Sequence, residues 1–282
     1  MSPPPAVIVT LTTDFGLRDG YVAAMKGAML RAEPAVRLID VTHEIPAQDV
    51  MTAAFTLRQV VPHFPAETVH LVVVDPTVGT ERQALAARFD VDGAPHMFVG
   101  ADNGLLPLVV GSEAVVEAVA LPTDDAASAT FHGRDVFGPA AARLAAGADL
   151  ADLGEPVHKL TPLHWPLPRV DEQGVFGMVL HVDHFGNCVT NITRDDVEGQ
   201  RAGRAFKCFA GSTVFRNHAR TYAEVGAGDP LTLFGSAGLL EIAVNRGHAS
   251  ELLSVERGDT VHLVFDALAR TPSRDATVAT NA

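Results

Sequence analysis

The feature that most constrains how this chain folds is a change of pattern across a proline-rich stretch between residues 154 and 174. Before it, short β-rich runs alternate with alanine-rich segments of helical spacing, as the layers of an α/β fold require. After it the helical spacing stops, and short apolar runs are punctuated by Gly, Asn and Asp, which suits a small β-barrel or sandwich. Pro156, Pro162, Pro166 and Pro168 surround the only tryptophan, Trp165, and such a segment reads as an extended connector. With 282 residues, 47% of them apolar, there is enough chain for two cores. The expected organisation is an α/β domain over 6–155 with a largely parallel, mixed sheet and a linker over 156–173. An all-β, barrel-like domain over 174–268 and a frayed polar tail over 269–282 follow.

In the first domain, strands are expected at 7–12, 36–41, 69–74, 84–90, 97–99 and 115–120, and helices at 20–31, 49–61, 104–110 and 134–146. Asp49 suits the cap of the second helix, with Val50, Ala53, Ala54 and Leu57 forming its buried face. In the second domain, strands are expected at 175–182, 188–192, 205–209, 213–215, 231–234, 239–244 and 260–265.

Charge and motifs then narrow the function. A net charge of −13, with lysine only at positions 26, 159 and 207, argues against a surface that tracks nucleic-acid phosphates. The N-terminus lacks a basic leader region and no stretch approaches the ~20 apolar residues of a membrane span, so a soluble, cytoplasmic protein is expected. Cys188 and Cys208 belong to no C-x-x-C pair and read as reduced core thiols. No G-x-G-x-x-G, G-x-x-x-x-G-K-[ST] or G-x-S-x-G is present, which disfavours a dinucleotide site, a P-loop and a serine-hydrolase elbow.

Three places remain that suit chemistry. Val72-Val-Val-Asp75-Pro-Thr-Val-Gly79-Thr-Glu-Arg82 delivers a carboxylate from a strand into a turn that carries an arginine. An ordinary structural ion pair between Asp75 and Arg82 is the plain alternative. Phe131-His132-Gly133-Arg134-Asp135 sets an imidazole on a turn before a helix, where a lone histidine is as often a core or capping residue. Asp14, after the first strand, occupies a position from which a carboxylate grips a ribose diol, though it also suits a helix cap, with Asp19 competing for that role. In the second domain, Asp183-His184-Phe185-Gly186-Asn187 reads as a hairpin turn. His181 and His184 make a poor metal pair, because no third ligand stands at a recognised spacing, and no metal is expected.

Seven motifs, in order, carry a resemblance. Thr13-Asp14-Phe15-Gly16, Asp40-Val-Thr-His43-Glu44-Ile-Pro, Val74-Asp75-Pro-Thr-Val-Gly79-Thr-x-Arg82 and Ala101-Asp102-Asn103-Gly104-Leu are four of them. Phe131-His132-Gly133-Arg134-Asp135, Asp183-His-Phe185-Gly186-Asn187 with Thr190-Asn191-Ile192, and Leu240-Glu241-Ile-Ala-Val244-Asn245-Arg246-Gly247 complete the set. Together, across residues 7–266, they resemble the S-adenosyl-L-methionine (SAM) hydrolase (adenosine-forming) family, also called SAM hydroxide adenosyltransferases, relatives of the SAM-dependent fluorinases and chlorinases.

The resemblance implies a homotrimer with SAM sites between the N-terminal domain of one subunit and the C-terminal domain of its neighbour. It implies Asp75, Arg82 and His132 as catalytic residues and Asp14 as the ribose-binding aspartate. Asp183, Asn187, Ser236, Glu241, Val244 and Asn245 would surround the methionine and adenine moieties, with Phe185 and Tyr222 over the adenine face. SAM is then the substrate, and no cofactor is expected. Asp75 stands where fluorinase-like members carry tyrosine, and Gln48 where they carry tryptophan. A carboxylate at the first position repels halide and favours water as nucleophile. Halogenation of SAM and a non-catalytic SAM or adenosine sensor are the two competing expectations.

Overall fold

In the computed structural model, which describes residues 8–123, 126–216 and 218–266, the chain divides between Trp165 and Pro166 into two units. The expected strand residue 7 and the tail 269–282 lie outside the described residues.

The first unit runs β1 (Ile8–Thr13), α1 (Tyr21–Ala32), β2 (Arg37–Thr42), α2 (Val50–Val60), β3 (Val69–Val73), β4 (Ala84–Val91) and β5 (Ala94–Ala101). It continues through α3 (Leu105–Val110), β6 (Val115–Leu121), α4 (Gly138–Ala145) and the short β7 (Glu155–Pro156). Its sheet has the order β2-β1-β3-β5-β4-β6-β7. The first four strands in that order pair in parallel and the others antiparallel, so the expected largely parallel, mixed sheet is present.

Residues of β3 alternate between two cores. Val69, Leu71 and Val73 pack with Met25, Met29, Phe137 and Ala141 on one side, while Val72 and Val74 pack with Ala53, Leu57 and Leu105 on the other. A strand covered on both faces has no reason to alternate apolar with polar residues, which explains the unbroken valines before Asp75. Asp49 caps α2 as expected, accepting from Thr52 N at 3.0 Å. Part of the proline-rich stretch packs on this unit: Leu160, Leu163 and Trp165 lie against its core, and Trp165 Nε1 donates to Leu108 O at 2.7 Å.

The second unit contains β8 (Arg169–Asp171), β9 (Gly174–Val182), β10 (Cys188–Thr193), α5 (Arg194–Arg201), β11 (Phe206–Ala210) and β12 (Thr213–Phe215). β13 (Pro230–Phe234), β14 (Leu239–Val244), α6 (Ala249–Leu253) and β15 (Thr260–Phe265) complete it. The strands run β12-β11-β15-β9-β10-β14-β13, all antiparallel, with β8 on β9. A bridge from His218 to Thr232 nearly closes the sheet on itself, giving the barrel-like form expected.

Two helices depart from the expectation that helical spacing ends at the proline-rich stretch. α5 buries only Val197, so it has no apolar stripe to reveal it; a capping box starts it, with Thr193 and Asp196 each holding the other's backbone N–H. α6 is five residues long, too short for a periodic signal.

Candidate active site

The parallel strands put their C-terminal ends on one edge of the first sheet, and the chain leaves β1 for β2 on one side and β3 on the other. That reversal opens a crevice at the strand ends, where ligands of open α/β sheets bind. Asp14 follows β1 and Asp75 follows β3, so both carboxylates stand at it.

Asp75 is held from several directions. Asn103, after β5, donates Nδ2 to Val74 O at 2.9 Å, fixing the peptide just before it. Thr77 N and Oγ1 both reach Asp75 Oδ1 at 3.3 Å, and the loop then turns tightly through Val78 N to Asp75 O. Gly79 has φ +78°, and a Cβ there would lie 2.9 Å from Ala129 O, so the turn that returns Arg82 needs glycine twice over. Arg82 Nε donates to Asp75 Oδ2 at 2.9 Å and Nη2 donates to the same oxygen.

The side chains of Asp75 and Arg82 are 5% and 7% exposed. Desolvating such a pair costs several kcal/mol per ion, about what their attraction returns, so its stabilising effect is small and its geometry is what it supplies. The guanidinium also lies 5.3 Å from the centroid of the Phe137 ring. Its buried Nη1 has no hydrogen-bond partner among the described residues. A buried donor left so costs roughly 1–3 kcal/mol, which favours uptake of a small acceptor.

His132 completes the group. It precedes a π-helical turn, Gly133–Phe137, that leads into α4, so the helix expected over 134–146 begins with a widened turn. Phe131 beside it packs edge-on against Phe15 and Tyr21, with centroids 5.7 and 5.3 Å away. Arg82 Nη2 lies 2.8 Å from His132 Nδ1. Arginine only donates, so Nδ1 accepts, and in the neutral imidazole the proton sits on Nε2. Burial, and then the charge of Arg82, push the His132 pKa below its ordinary value, which keeps that neutral form. The result is a fork: one guanidinium fixes a carboxylate and sets the tautomer of an imidazole.

Asp14 does not cap a helix. α1 starts at Gly20 without a side-chain cap, and Asp14 Oδ2 instead accepts from Gln48 N at 2.7 Å across to the loop after β2. Gln48 itself has φ +67°.

In the second unit, the turn between β9 and β10 is organised by Asp183, whose Oδ1 accepts from Phe185 N (2.9 Å) and Asn187 N (2.8 Å), and whose Oδ2 accepts from Asn187 Nδ2 (2.9 Å). Phe185 is 72% exposed at its tip. On β14, Glu241 Oε2 accepts from Tyr222 OH at 2.7 Å, and a Cβ on Gly235 would lie 1.7 Å from its other oxygen, so the glycine before Ser236 makes room for this carboxylate. Burial and the nearby Asp183 raise the Glu241 pKa, and burial together with Glu241 raises that of Tyr222. Asp183–Asn187 and Tyr222–Glu241 are thus two hydrogen-bonded pairs, close enough for the charge of Asp183 to act on Glu241. Ser236 is exposed on the hairpin beside them. Val244 is buried with its peptide oxygen taken by Gly247 N (3.0 Å), and Asn245 Nδ2 donates to Val225 O at 2.8 Å.

Asn103, Thr77 and His43 were not expected as site residues, although all three stand inside the motifs that carry the resemblance. Their contribution is made through backbone atoms and buried contacts, which residue type alone does not signal. Among the described residues, no group of three His, Cys, Asp or Glu side chains is arranged to hold a metal ion.

This pairing of a mixed α/β unit with a barrel-like antiparallel unit, and with Asp75, Arg82 and His132 at the strand ends, marks a class in which comparison with known proteins agrees. The chain matches the SAM hydroxide adenosyltransferase N-terminal domain over residues 9–154 and the C-terminal domain over 177–262, and it belongs to that family. It is 43% identical to an (R)-S-adenosyl-L-methionine hydrolase of Salinispora arenicola, over 90% of this chain and 97% of that one. It is 39% identical to another from Thermus thermophilus, over 91% and 99%. A fluorinase of Actinoplanes sp. is more distant, at 28% identity over 90% and 96%. Among solved structures, an uncharacterized conserved protein of Thermotoga maritima superposes with a TM-score of 0.82 at 37% identity, over 91% and 100% of the two chains.

Proposed function

We propose that this protein hydrolyses SAM to adenosine and L-methionine, with a water-derived oxygen attacking ribose C5′ in line with the departing sulfur. The observation that carries the reading is the Arg82 fork, 2.9 Å from Nε to Asp75 and 2.8 Å from Nη2 to His132 Nδ1. The named hydrolase relatives at 39–43% identity support it.

Water is a weak nucleophile, with a pKa of about 15.7, and needs a base within reach. With Nδ1 committed to Arg82, His132 carries its proton on Nε2 and serves as a donor that orients the water. The carboxylate of Asp75 then takes the proton, Oδ1 being the oxygen that Arg82 leaves free. As the C5′–O bond forms, the C5′–S bond breaks and its electron pair stays on sulfur, turning a sulfonium into the neutral thioether of methionine. The proton passes from Asp75 to solvent. Asp14 holds the ribose hydroxyls, and Asp183, Phe185, Asn187, Tyr222, Ser236, Glu241, Val244 and Asn245 serve the adenine and methionine groups. No cofactor takes part, and the protein works in the cytoplasm as a homotrimer; light scattering that gives one or two chain masses would remove the trimer from the proposal.

Halogenation is disfavoured by the same carboxylate, since a halide beside Asp75 meets like charge in a site of low effective dielectric. Incubation with SAM in ¹⁸O-labelled water is expected to place label on the adenosine 5′-hydroxyl, read by mass spectrometry, and Asp75→Ala to lower turnover by roughly 10²–10⁴. A 5′-halogenated nucleoside as the main product in halide buffer would overturn the hydrolytic reading. Persistence of intact SAM would favour a sensor.

A further inference from the structure

His43 is almost fully buried, 3% exposed, and is used by none of the chemistry above. Its imidazole stands in the loop after β2, yet it reaches the last residue of β1. Nδ1 lies 2.9 Å from Thr13 Oγ1, and Thr13 is itself completely buried. Thr13 Oγ1 accepts the N–H of Phe15 at 3.3 Å, so its own hydroxyl proton is free to be donated to Nδ1. That leaves the imidazole proton on Nε2, which faces Asp40 Oδ1 at 3.2 Å, within ion-pair distance though off the line of a hydrogen bond. Asp40 is held in turn by Lys26 Nζ at 2.7 Å. The peptide oxygen of His43 accepts from Gly16 N at 2.7 Å.

Asp14 is therefore bracketed. The residue before it is tied to the His43 side chain, the second residue after it is tied to the His43 backbone, and its own carboxylate is tied to Gln48 N at the far end of the same loop (2.7 Å). A chain that ran only from Thr13 through a free loop to Gly20 would let that carboxylate wander, and positioning errors of about 1 Å are enough to cost large factors in rate or affinity.

We propose that His43 is the positioning residue for Asp14: the Lys26–Asp40–His43–Thr13 chain joins the end of β1 to the loop after β2 and aims the Asp14 carboxylate at the ribose hydroxyls. The proposal rests on the reading of Asp14 as the ribose-binding group, and it makes no use of a change in the charge of His43.

The test compares SAM with its 2′-deoxy analogue in wild-type protein, His43→Asn, Asp14→Asn and the double variant, with melting temperature as the control for folding. Loss of one well-placed hydrogen bond to a charged group is worth about 10-fold or more. His43→Asn is accordingly expected to raise KM for SAM by about 10-fold with a smaller change in kcat, and to reduce discrimination against the deoxy analogue by a similar factor. The double variant should be no worse than Asp14→Asn, because coupled residues are not additive. His43→Gln, whose amide can accept from Thr13 and donate toward Asp40, should restore most of the discrimination. If the asparagine variant does not fold, Thr13→Val, which removes the hydroxyl that reaches His43 Nδ1, carries the test and is expected to lose discrimination in the same way. If His43→Asn keeps full discrimination, or if its effect multiplies with that of Asp14→Asn, the positioning role is wrong. If Asp14→Asn itself keeps discrimination, it is the ribose assignment of Asp14 that fails.

Discussion

At the scale of single residues, the most consequential finding is which atom of His132 faces which neighbour. Asp75 and His132 appear interchangeable in the sequence as candidates to take a proton from water. The 2.8 Å approach of Arg82 to Nδ1 separates them, because a guanidinium has no lone pair to offer and the imidazole must accept. Protonating His132 would place an N–H against an N–H at that contact. Burial and then Arg82 lower its pKa from the usual 6.5, so the charged form arises at lower pH than it would for an ordinary imidazole. Any acid limb of kcat/KM due to His132 is therefore expected to be centred below 6.5. A limb centred at or above that value, present in the native enzyme and absent in His132→Gln, would contradict the donor role. Asp14 shows the same limit of sequence: its residue type fits a cap or a ribose contact, and only the 2.7 Å bond from Gln48 N removes the first.

At the scale of elements, the loop from β3 to β4 is the unit that makes the fork, and its turn chemistry is local. Asp75-Pro76-Thr77 and Gly79 are recognisable as a turn from the string of residues, since proline holds the preceding residue extended and glycine admits positive φ. Replacing Gly79 with alanine adds a methyl group 2.9 Å from Ala129 O at φ +78°. Gly79→Ala is expected to cut kcat by an order of magnitude or more, given how sharply catalysis falls with misplacement, while shifting the melting temperature by only a few degrees, the effect of a change of about 1–2 kcal/mol. Equal turnover in the variant would show that Arg82 does not depend on this turn. The elements the sequence concealed are those with no period to display: α5, which buries a single residue, and the five-residue α6.

At the scale of the whole molecule, the first unit carries an internal acid sensitivity. Thr10, His70 and His96 sit on the adjacent strands β1, β3 and β5, with His70 Nδ1 2.8 Å from Thr10 Oγ1 and Nε2 3.2 Å from His96 Nδ1. Both imidazoles are 1% exposed. Burial first, and the neighbouring His96 second, push the His70 pKa from 6.5 down to about 3. Below pH 6.5 the unfolded chain takes up a proton at His70 that the folded chain refuses until about pH 3, so stability present at neutral pH is lost as pH falls through that window. The loss approaches about 1.4 kcal/mol per pH unit for the one group. Trp165 packs on this unit through Leu108 O, so its fluorescence reports the unfolding. His70→Gln is expected to flatten the pH dependence of the fluorescence-detected melting temperature between pH 6.5 and 5, and an unchanged slope would acquit His70.

The features legible from residue order are those written in short range. The alternation of strands and helices, the break at the proline-rich stretch, the turns that carry Asp75 and Asp183, and the ordered motifs that point to the family all depend on residues within a few positions of one another. The tertiary structure alone decided which groups meet. Arg82 and His132 are 50 positions apart, Thr13 and His43 are 30 apart, and Asp14 and Gln48 are 34 apart. Contacts of that separation follow from strand order and from how two buried faces pack, neither of which a local pattern encodes. The direction of a proton on His132, and the burial that gives His43 its place, exist only once those faces have closed.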